Sequence, residues 1–321
     1  MKRFKLSLST LVFLGFTFLF SCKSYQKIFQ SATSKTILLS AIKGNTSKTD
    51  TIFFTSNKKE VALISSEVKG THKDFWKIKL IPTGEKKSII LTINFQPQQN
   101  FIGAVKDSLI LNFKNQKEIV YKLRGLSTKA LEGKNEPPLY DIVQLLDYNI
   151  NLGWSGLSNT TNPKLQGDEL SQTLFVKAGN KAVKMVPIAR YSPAFKLPFG
   201  YYTRDNDVVK KHEVGILAGS KNYPEHQTLH PKLLVGKTSF NPEQSKFGFY
   251  TTSPSHTAYS QDKYNKRYHK KKAAHAVRIY EVKDKTGNKI ANEYLVCFEE
   301  AKNGDYQDYV FIVKNIKAIA D

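Results

Sequence analysis

Ser88-Ile89-Ile90-Leu91-Thr92-Ile93-Asn94-Phe95 is the stretch that decides how this chain folds. In an extended backbone successive side chains point to opposite faces. Ile89, Leu91, Ile93 and Phe95 then share one face, while Ser88, Ile90, Thr92 and Asn94 share the other. That alternation marks a strand with one side against a core. Six further segments have the same character: TILLSAI, DTIFFTS, EVALISS, FWKIKLIP, SLILNF and EIVYKLRG. All are short and rich in β-branched and aromatic residues. Turn formers such as Gly44-Asn45, Ser56-Asn57 and Pro97 to Asn100 separate most of them.

Seven strands within about 90 residues predict an immunoglobulin-like β-sandwich over residues 36–126. Its second half resembles the hydin/abnormal-spindle class of Ig-like module. The residues that carry the resemblance are Ile93-Asn94-Phe95-Gln96-Pro97, then Gly103, then the strands Leu109–Phe113 and Ile119–Leu123 closing on Gly125. Such modules act as spacers or docking surfaces, so the resemblance implies no catalytic residue.

Residues 127–167 read as a connector. Within Asn135-Glu136-Pro137-Pro138-Leu139, Asn135 suits a helix cap and the prolines suit a first turn. Leu139, Ile142, Val143 and Leu146 then fall on one face of a short amphipathic helix packed at the junction. A larger all-β domain follows over 168–321, with strands predicted in LSQTLFVKA, VKMVPIARYS, KFGFYTTS, HAVRIYEVKD, EYLVCFEE and YVFIVKNI. A jelly-roll-like sandwich is the expected form. The fold class is therefore all-β, two sandwiches joined by a short helical connector. The order of "NEPPL", "GDEL…LFVKA", "LPFGYYT", "KFGFYTTS" and the closing "YLVCFEEAKNGDYQDYVFIVKNI" resembles a family of secreted or lipid-anchored bacterial envelope proteins of uncharacterised function.

The N-terminus places the chain in a cell. Lys2, Arg3 and Lys5 precede an apolar run from Leu6 to Phe20 that is short for a bilayer span. Leu19-Phe20-Ser21-Cys22 resembles a bacterial lipoprotein box. The resemblance implies a signal peptide over 1–21, lipidation of Cys22 and a tether over 22–35. Cleavage there lowers the formal charge of +22 by three. Lys23-Ser24-Tyr25 follow rather than an acidic run, so a periplasm-facing site and the cell surface both stay open. Cys297 is the one other cysteine, which excludes an internal disulfide in the mature chain. It sits in the apolar run Tyr294–Phe298 and reads as a small buried hydrophobe.

Acids gather at one turn of this basic chain, in Phe298-Glu299-Glu300-Ala301-Lys302-Asn303-Gly304-Asp305-Tyr306-Gln307-Asp308. The stretch resembles a calcium-associated C-terminal motif of the form F-E-D, a glycine-bearing turn, then D-x-D-[FY]-N-D. Here Glu300, Asn303 and Gln307 depart from that pattern while keeping oxygen atoms. Ca²⁺ takes six to eight oxygen ligands, and Glu299, Asn303, Asp305 and Asp308 are the candidate set, with Gly304 allowing a sharp turn. A metal-free turn is the alternative, since acids and amides also cap backbone N–H groups.

A second charged stretch, Lys263-Tyr264-Asn265-Lys266-Arg267-Tyr268-His269-Lys270-Lys271-Lys272, offers Lys263, Lys266, Arg267, Lys270, Lys271 and Lys272 as an anionic-ligand patch. Anionic glycans, lipopolysaccharide phosphates or acidic headgroups suit a membrane-anchored protein better than nucleic acid does. The plain reading is a solvated loop between the strands at Gly248 and Val277. His226 and His230, flanked by Pro224 and Pro231, lack the helix that would align a zinc pair. Trp154, Tyr201 and Tyr202 are candidates for stacking on sugars, or core residues. No nucleophile elbow, phosphate loop or dinucleotide fingerprint is present. The expected function is a non-catalytic binding, adhesion or assembly module that contacts the membrane through its lipid and meets an anionic glycan or another envelope protein. The alternative is a carbohydrate-active hydrolase working through Glu299, Glu300, Asp305 and Asp308.

Overall fold

The computed structural model describes residues 35–55, 61–83, 88–114, 116–131, 133–155, 164–171, 174–219, 227–269, 274–301 and 303–319. Cys22, the expected signal peptide and nearly all of the tether lie outside the described residues, as do His226 and Lys270 to Lys272. No helix among the described residues is long and apolar enough to cross a membrane.

The chain is all-β, as its alternating segments predict. Seven strands come first: β1 (Lys35–Ile42), β2 (Asp50–Thr55), β3 (Leu63–Lys69), β4 (Trp76–Pro82), β5 (Ser88–Phe95), β6 (Gly103–Phe113) and β7 (Ile119–Thr128). They form a four-stranded sheet in the order β1-β7-β6-β3 and a three-stranded sheet in the order β2-β5-β4. β1 runs parallel to β7, and the other pairs in this module are antiparallel. Between the sheets lies a core that includes Leu39, Leu109 and Leu123 from one and Leu91, Ile93 and Phe95 from the other, all fully buried. Each such side chain contributes about 1.5–3 kcal/mol on leaving water. Ile90, Thr92 and Asn94 stay partly exposed on the outer face, as the period of two requires.

Helix α1 (Leu139–Leu145) is the predicted connector helix. Leu139, Ile142 and Val143 are buried, together with Leu145. Just beyond it, Asp147 accepts from Arg124 Nη2 and Lys106 Nζ, each at 2.8 Å, which ties the connector to β7 and β6.

The second sandwich follows with β8 (Leu174–Lys177), β9 (Val183–Tyr191), β10 (Leu197–Asp205), β11 (Val208–Leu217), β12 (Gln227–Leu229), β13 (Leu233–Gly236), β14 (Ser239–Phe240), β15 (Gly248–Thr252) and β16 (Thr257–Tyr259). Helix α2 (Asp262–His269), β17 (Val277–Lys283), β18 (Lys289–Phe298), β19 (Tyr309–Lys314) and β20 (Ile316–Ile319) complete it. One sheet has the order β13-β11-β10-β15-β16; the other has the order β12-β9-β19-β18-β17 with β14 beside β9, and β20 pairs with β8.

The β9-β19-β18-β17 sheet is covered on both faces, which explains why its strands read as continuous apolar runs. Tyr294, Val296 and Phe298 of β18, with Tyr309, Phe311 and Val313 of β19, point into the core shared with β10 and β15. There the rings of Phe199 and Phe311 stand 5.1 Å apart. Leu295, Cys297, Val310 and Ile312 point the other way, into a second core with α1, Leu38 of β1 and Leu126 of β7. The two modules thus share apolar interior. Cys297 is fully buried there, and burial pushes its thiol well above the usual range, as suits a hydrophobe rather than a nucleophile.

Candidate metal centre

β18 and β19 are hydrogen-bonded neighbours with Phe298 opposite Tyr309, so the acidic turn closes directly between them. Glu299 organises that turn. Its Oε1 accepts from Ala301 N at 2.8 Å, and its Oε2 accepts from Asp305 N at 2.9 Å and Tyr306 N at 3.4 Å. Gly304 (φ +72°) and Tyr306 (φ +56°) reverse the chain in left-handed backbone. Asp308 Oδ2 accepts from Glu300 N at 2.5 Å, and Tyr309 donates its hydroxyl to Glu300 Oε2. The Asn303 amide donates to Asp305 Oδ2.

These bonds use some carboxylate oxygens and leave others to converge. Glu299, Asp305 and Asp308 each offer an oxygen within 4.8 Å of the other two, and they are 0 %, 1 % and 5 % exposed. No other group of three acidic, histidine or cysteine side chains among the described residues meets that condition. Asp305 Oδ1, Asn303 Oδ1 and both amide atoms of Gln307 are buried without a hydrogen-bond partner. Leaving polar atoms dry and unpaired is costly.

The electrostatics are those of crowded acids. Burial, followed by the Asp305 charge, pushes Glu299 up to about 7. Burial also raises Asp305. Asp308 is held well above the carboxylate range by burial and then by the charges of Glu299, Asp305 and Glu300. The nearby Arg190 spends its donors on Ser192 Oγ and the carbonyls of Pro193, Phe195 and Ala218.

Sequence reasoning missed Glu136. It comes from the connector just before α1, is 7 % exposed, and its carboxyl faces Asp305 and Gln307. Burial and then the Asp305 charge push it up to about 9. "NEPPL" placed a helix start there, and no local spacing links that motif to a turn so far along the chain. Also missed was a buried network beside the centre. His275 bonds Asp262 through Nδ1 at 3.0 Å and Glu169 Oε1 through Nε2 at 2.8 Å, while Arg278 pairs with Glu169 Oε2. Tyr306 donates its hydroxyl to His275 O at 2.6 Å, and the Arg278 guanidinium lies 4.6 Å from the Tyr306 ring centroid. With both imidazole nitrogens engaged, His275 serves as a structural cation.

The other candidates divide. Lys263, Lys266 and Arg267 are exposed, but they stand on α2 and not on the expected loop. The helix forms there because Asn265 is fully buried, its amide pairing with both Tyr259 N and Tyr259 O at 2.8 Å, and Tyr264 is buried beside it. Tyr201 and Tyr202 are core residues, unavailable to a sugar. Tyr201 is sandwiched between His212 and Phe240, each 4.5 Å away, and Tyr202 is fully buried. Trp154 packs beneath Arg278, 5.4 Å from its guanidinium.

No protein-family model matches this sequence, and no curated protein matches it. Among solved structures, the secreted serine protease VesC from Vibrio cholerae aligns with 87% of this chain and 48% of its own, at 10% identity and a TM-score of 0.23. The chain spans about half the length of that structure. A superposition of that quality carries no argument about fold or activity.

Proposed function

We propose that this chain is a lipid-anchored protein of the cell envelope without a catalytic role. In this reading an Ig-like module carries a larger sandwich whose closing turn is held by Ca²⁺, and the assembly binds an anionic glycan or another envelope protein. The observation that carries it is the set of Glu299, Asp305 and Asp308, buried with oxygens within 4.8 Å of one another, where burial first and then neighbouring carboxylate charges hold Asp308 well above the carboxylate range. Hard oxygen donors in that arrangement suit Ca²⁺, with Asn303 supplying an amide oxygen. The resemblance of Leu19-Phe20-Ser21-Cys22 to a lipoprotein box, and of the later motifs to envelope proteins, supports that location.

The same burial argues against the hydrolase alternative. Two carboxylates that cleave a glycosidic bond must flank an accessible sugar at about 5–9.5 Å separation. Glu299, Asp305 and Asp308 face the interior, which leaves Glu300 as the one partly exposed acid of the four.

The first test is thermal melting in Ca²⁺ and in chelator. An ion that binds only the folded state contributes about 2.7 kcal/mol at a hundredfold excess over Kd. Ca²⁺ should raise the melting temperature and Asp305→Ala should abolish the rise; identical melts in both buffers would remove the site. Fractionation of cells carrying Cys22→Ser tests the anchor, and a protein still bound to membranes would count against lipidation. Binding to an anionic polysaccharide should weaken steeply with salt, and indifference to salt would exclude the α2 patch.

A further inference from the structure

The acidic turn is one side of a deeper arrangement, and the connector is the other. Glu136 N donates to Gly133 O at 3.1 Å and Asn135 O accepts from Ala130 N at 3.1 Å, which fixes the backbone from which Glu136 projects. α1 follows at once, and its apolar residues fill the core common to Leu38 and Leu126 of the first module and to Ile188, Val310 and Ile312 of the second. Glu136 therefore stands at the entry to the joint between the modules, with its carboxyl turned to Asp305.

Gln307 is the independent sign that a ligand belongs between these groups. It is 0 % exposed, and neither atom of its amide makes a hydrogen bond of proper geometry although Glu136 lies against it. Asp305 Oδ1 is likewise buried and unpartnered in the same place. A cation accounts for all of these oxygens together.

Building on the proposed Ca²⁺ site at the turn, we propose that Glu136 and Gln307 are ligands of the same ion. Ca²⁺ then bridges the connector to the β18–β19 turn and thereby fixes how the Ig-like module is seated on the larger sandwich. Glu299, Asp305 and Asp308 supply carboxylate oxygens already within 4.8 Å of one another. Glu136, which stands outside that group, adds a fourth on a movement of its side chain, Gln307 an amide oxygen, and Asn303 another after a half-turn of its amide, which exchanges Nδ2 for Oδ1. Six protein oxygens reach the lower bound for Ca²⁺, whereas Mg²⁺ usually keeps several waters and avoids all-protein cages. The consequence is mechanical. Where Ca²⁺ is plentiful the joint is rigid; where it is removed, the first turn of α1 loses its tie.

The test uses the full chain. Calcium titration by calorimetry should give a Kd at least tenfold weaker for Glu136→Gln than for wild type. Hydrogen exchange of the wild type should slow on Ca²⁺ addition in two places at once, the 136–145 amides and the 299–308 turn. If wild type binds no Ca²⁺, the turn reading and this inference both fall. If wild type binds but Glu136→Gln binds equally and only the 299–308 amides respond, the turn site stands and the bridge is refuted. Should Glu136→Gln misfold, the wild-type exchange pattern decides alone: slowed connector amides support the bridge, and unchanged ones overturn it.

Discussion

Replacing Glu169 by Gln should unsettle the second sandwich while leaving its shape intact. Glu169 is buried and answers two cations, accepting from His275 Nε2 at 2.8 Å and pairing with Arg278 through its other oxygen, which also accepts from Gln166 N at 3.0 Å. The Arg278 and His275 side chains are each 1 % exposed. Removing one member of a buried pair costs about 3–5 kcal/mol, because the other charge stays desolvated. Gln keeps the volume and one acceptor, so the lower end applies. At about 2–4 °C per kcal/mol for a domain of this size, a loss near 3 kcal/mol lowers the melting temperature by about 6–12 °C.

His275 supplies a second readout with a definite sign. Burial lowers its pKa, but the hydrogen bonds and charges of Asp262 and Glu169 outweigh burial and raise it above 6.5. The folded state thus holds a proton that the unfolded chain releases. The resulting stability is fully present below 6.5 and is lost as pH rises through the folded value. In Glu169→Gln only Asp262 remains, so the decline should still begin near 6.5 but become smaller and end at lower pH. Urea midpoints measured from about pH 6 to about pH 9 would show both effects. Equal midpoints for variant and wild type across that range would refute the idea that Glu169 neutralises buried charge.

Other consequences can be measured with the same means. In Gly125→Ala the new Cβ would stand 2.4 Å from Cε2 of the fully buried Phe95, so a cost of about 1–3 kcal/mol is expected from strain, and an unchanged melt would show that the ring can move. Lys48 of the first module donates to Leu229 O at 3.0 Å and His230 O at 2.8 Å in the second, so Lys48→Met should separate the two melting transitions. Burial lowers Lys48 to about 8, which means the unfolded chain holds the extra proton between there and 10.5; stability should rise with pH in that window, and a fall would contradict it. Protons held on Glu299 to about 7 and on Glu136 to about 9 must leave when Ca²⁺ enters, so affinity should tighten as pH rises between those values, and pH-independent binding would argue against their ligand role.

Much of the architecture was legible because sheets write their burial into the chain with a period of two. Alternation puts Ile93 and Phe95 on the core face of β5, where they are fully buried, and "EPPLYDIV" marks α1 through its prolines and apolar spacing. The second module is less legible. β11 carries Lys210, Lys211, His212 and Glu213 in a half-exposed strand, and β12, β13 and β14 are only two to four residues long, so neither periodicity nor length marks them. α2 was masked by its charge: the residues that hold it, Tyr264 and Asn265, are two among a run of lysines.

Composition and local pattern by themselves determined that this chain is all-β, that its turn at Glu299 to Asp308 concentrates oxygen donors, and that Cys297 is a buried hydrophobe. Only the tertiary structure decided which distant residue joins that turn, that the β18–β19 sheet is apolar on both faces, and that Tyr201 and Tyr202 are enclosed. The reason is one of range. Alternation, capping and turn chemistry act between residues a few positions apart and leave a readable trace, whereas the meeting of Glu136 with Asp305 follows from how two modules pack around a shared core, which no short window of sequence contains.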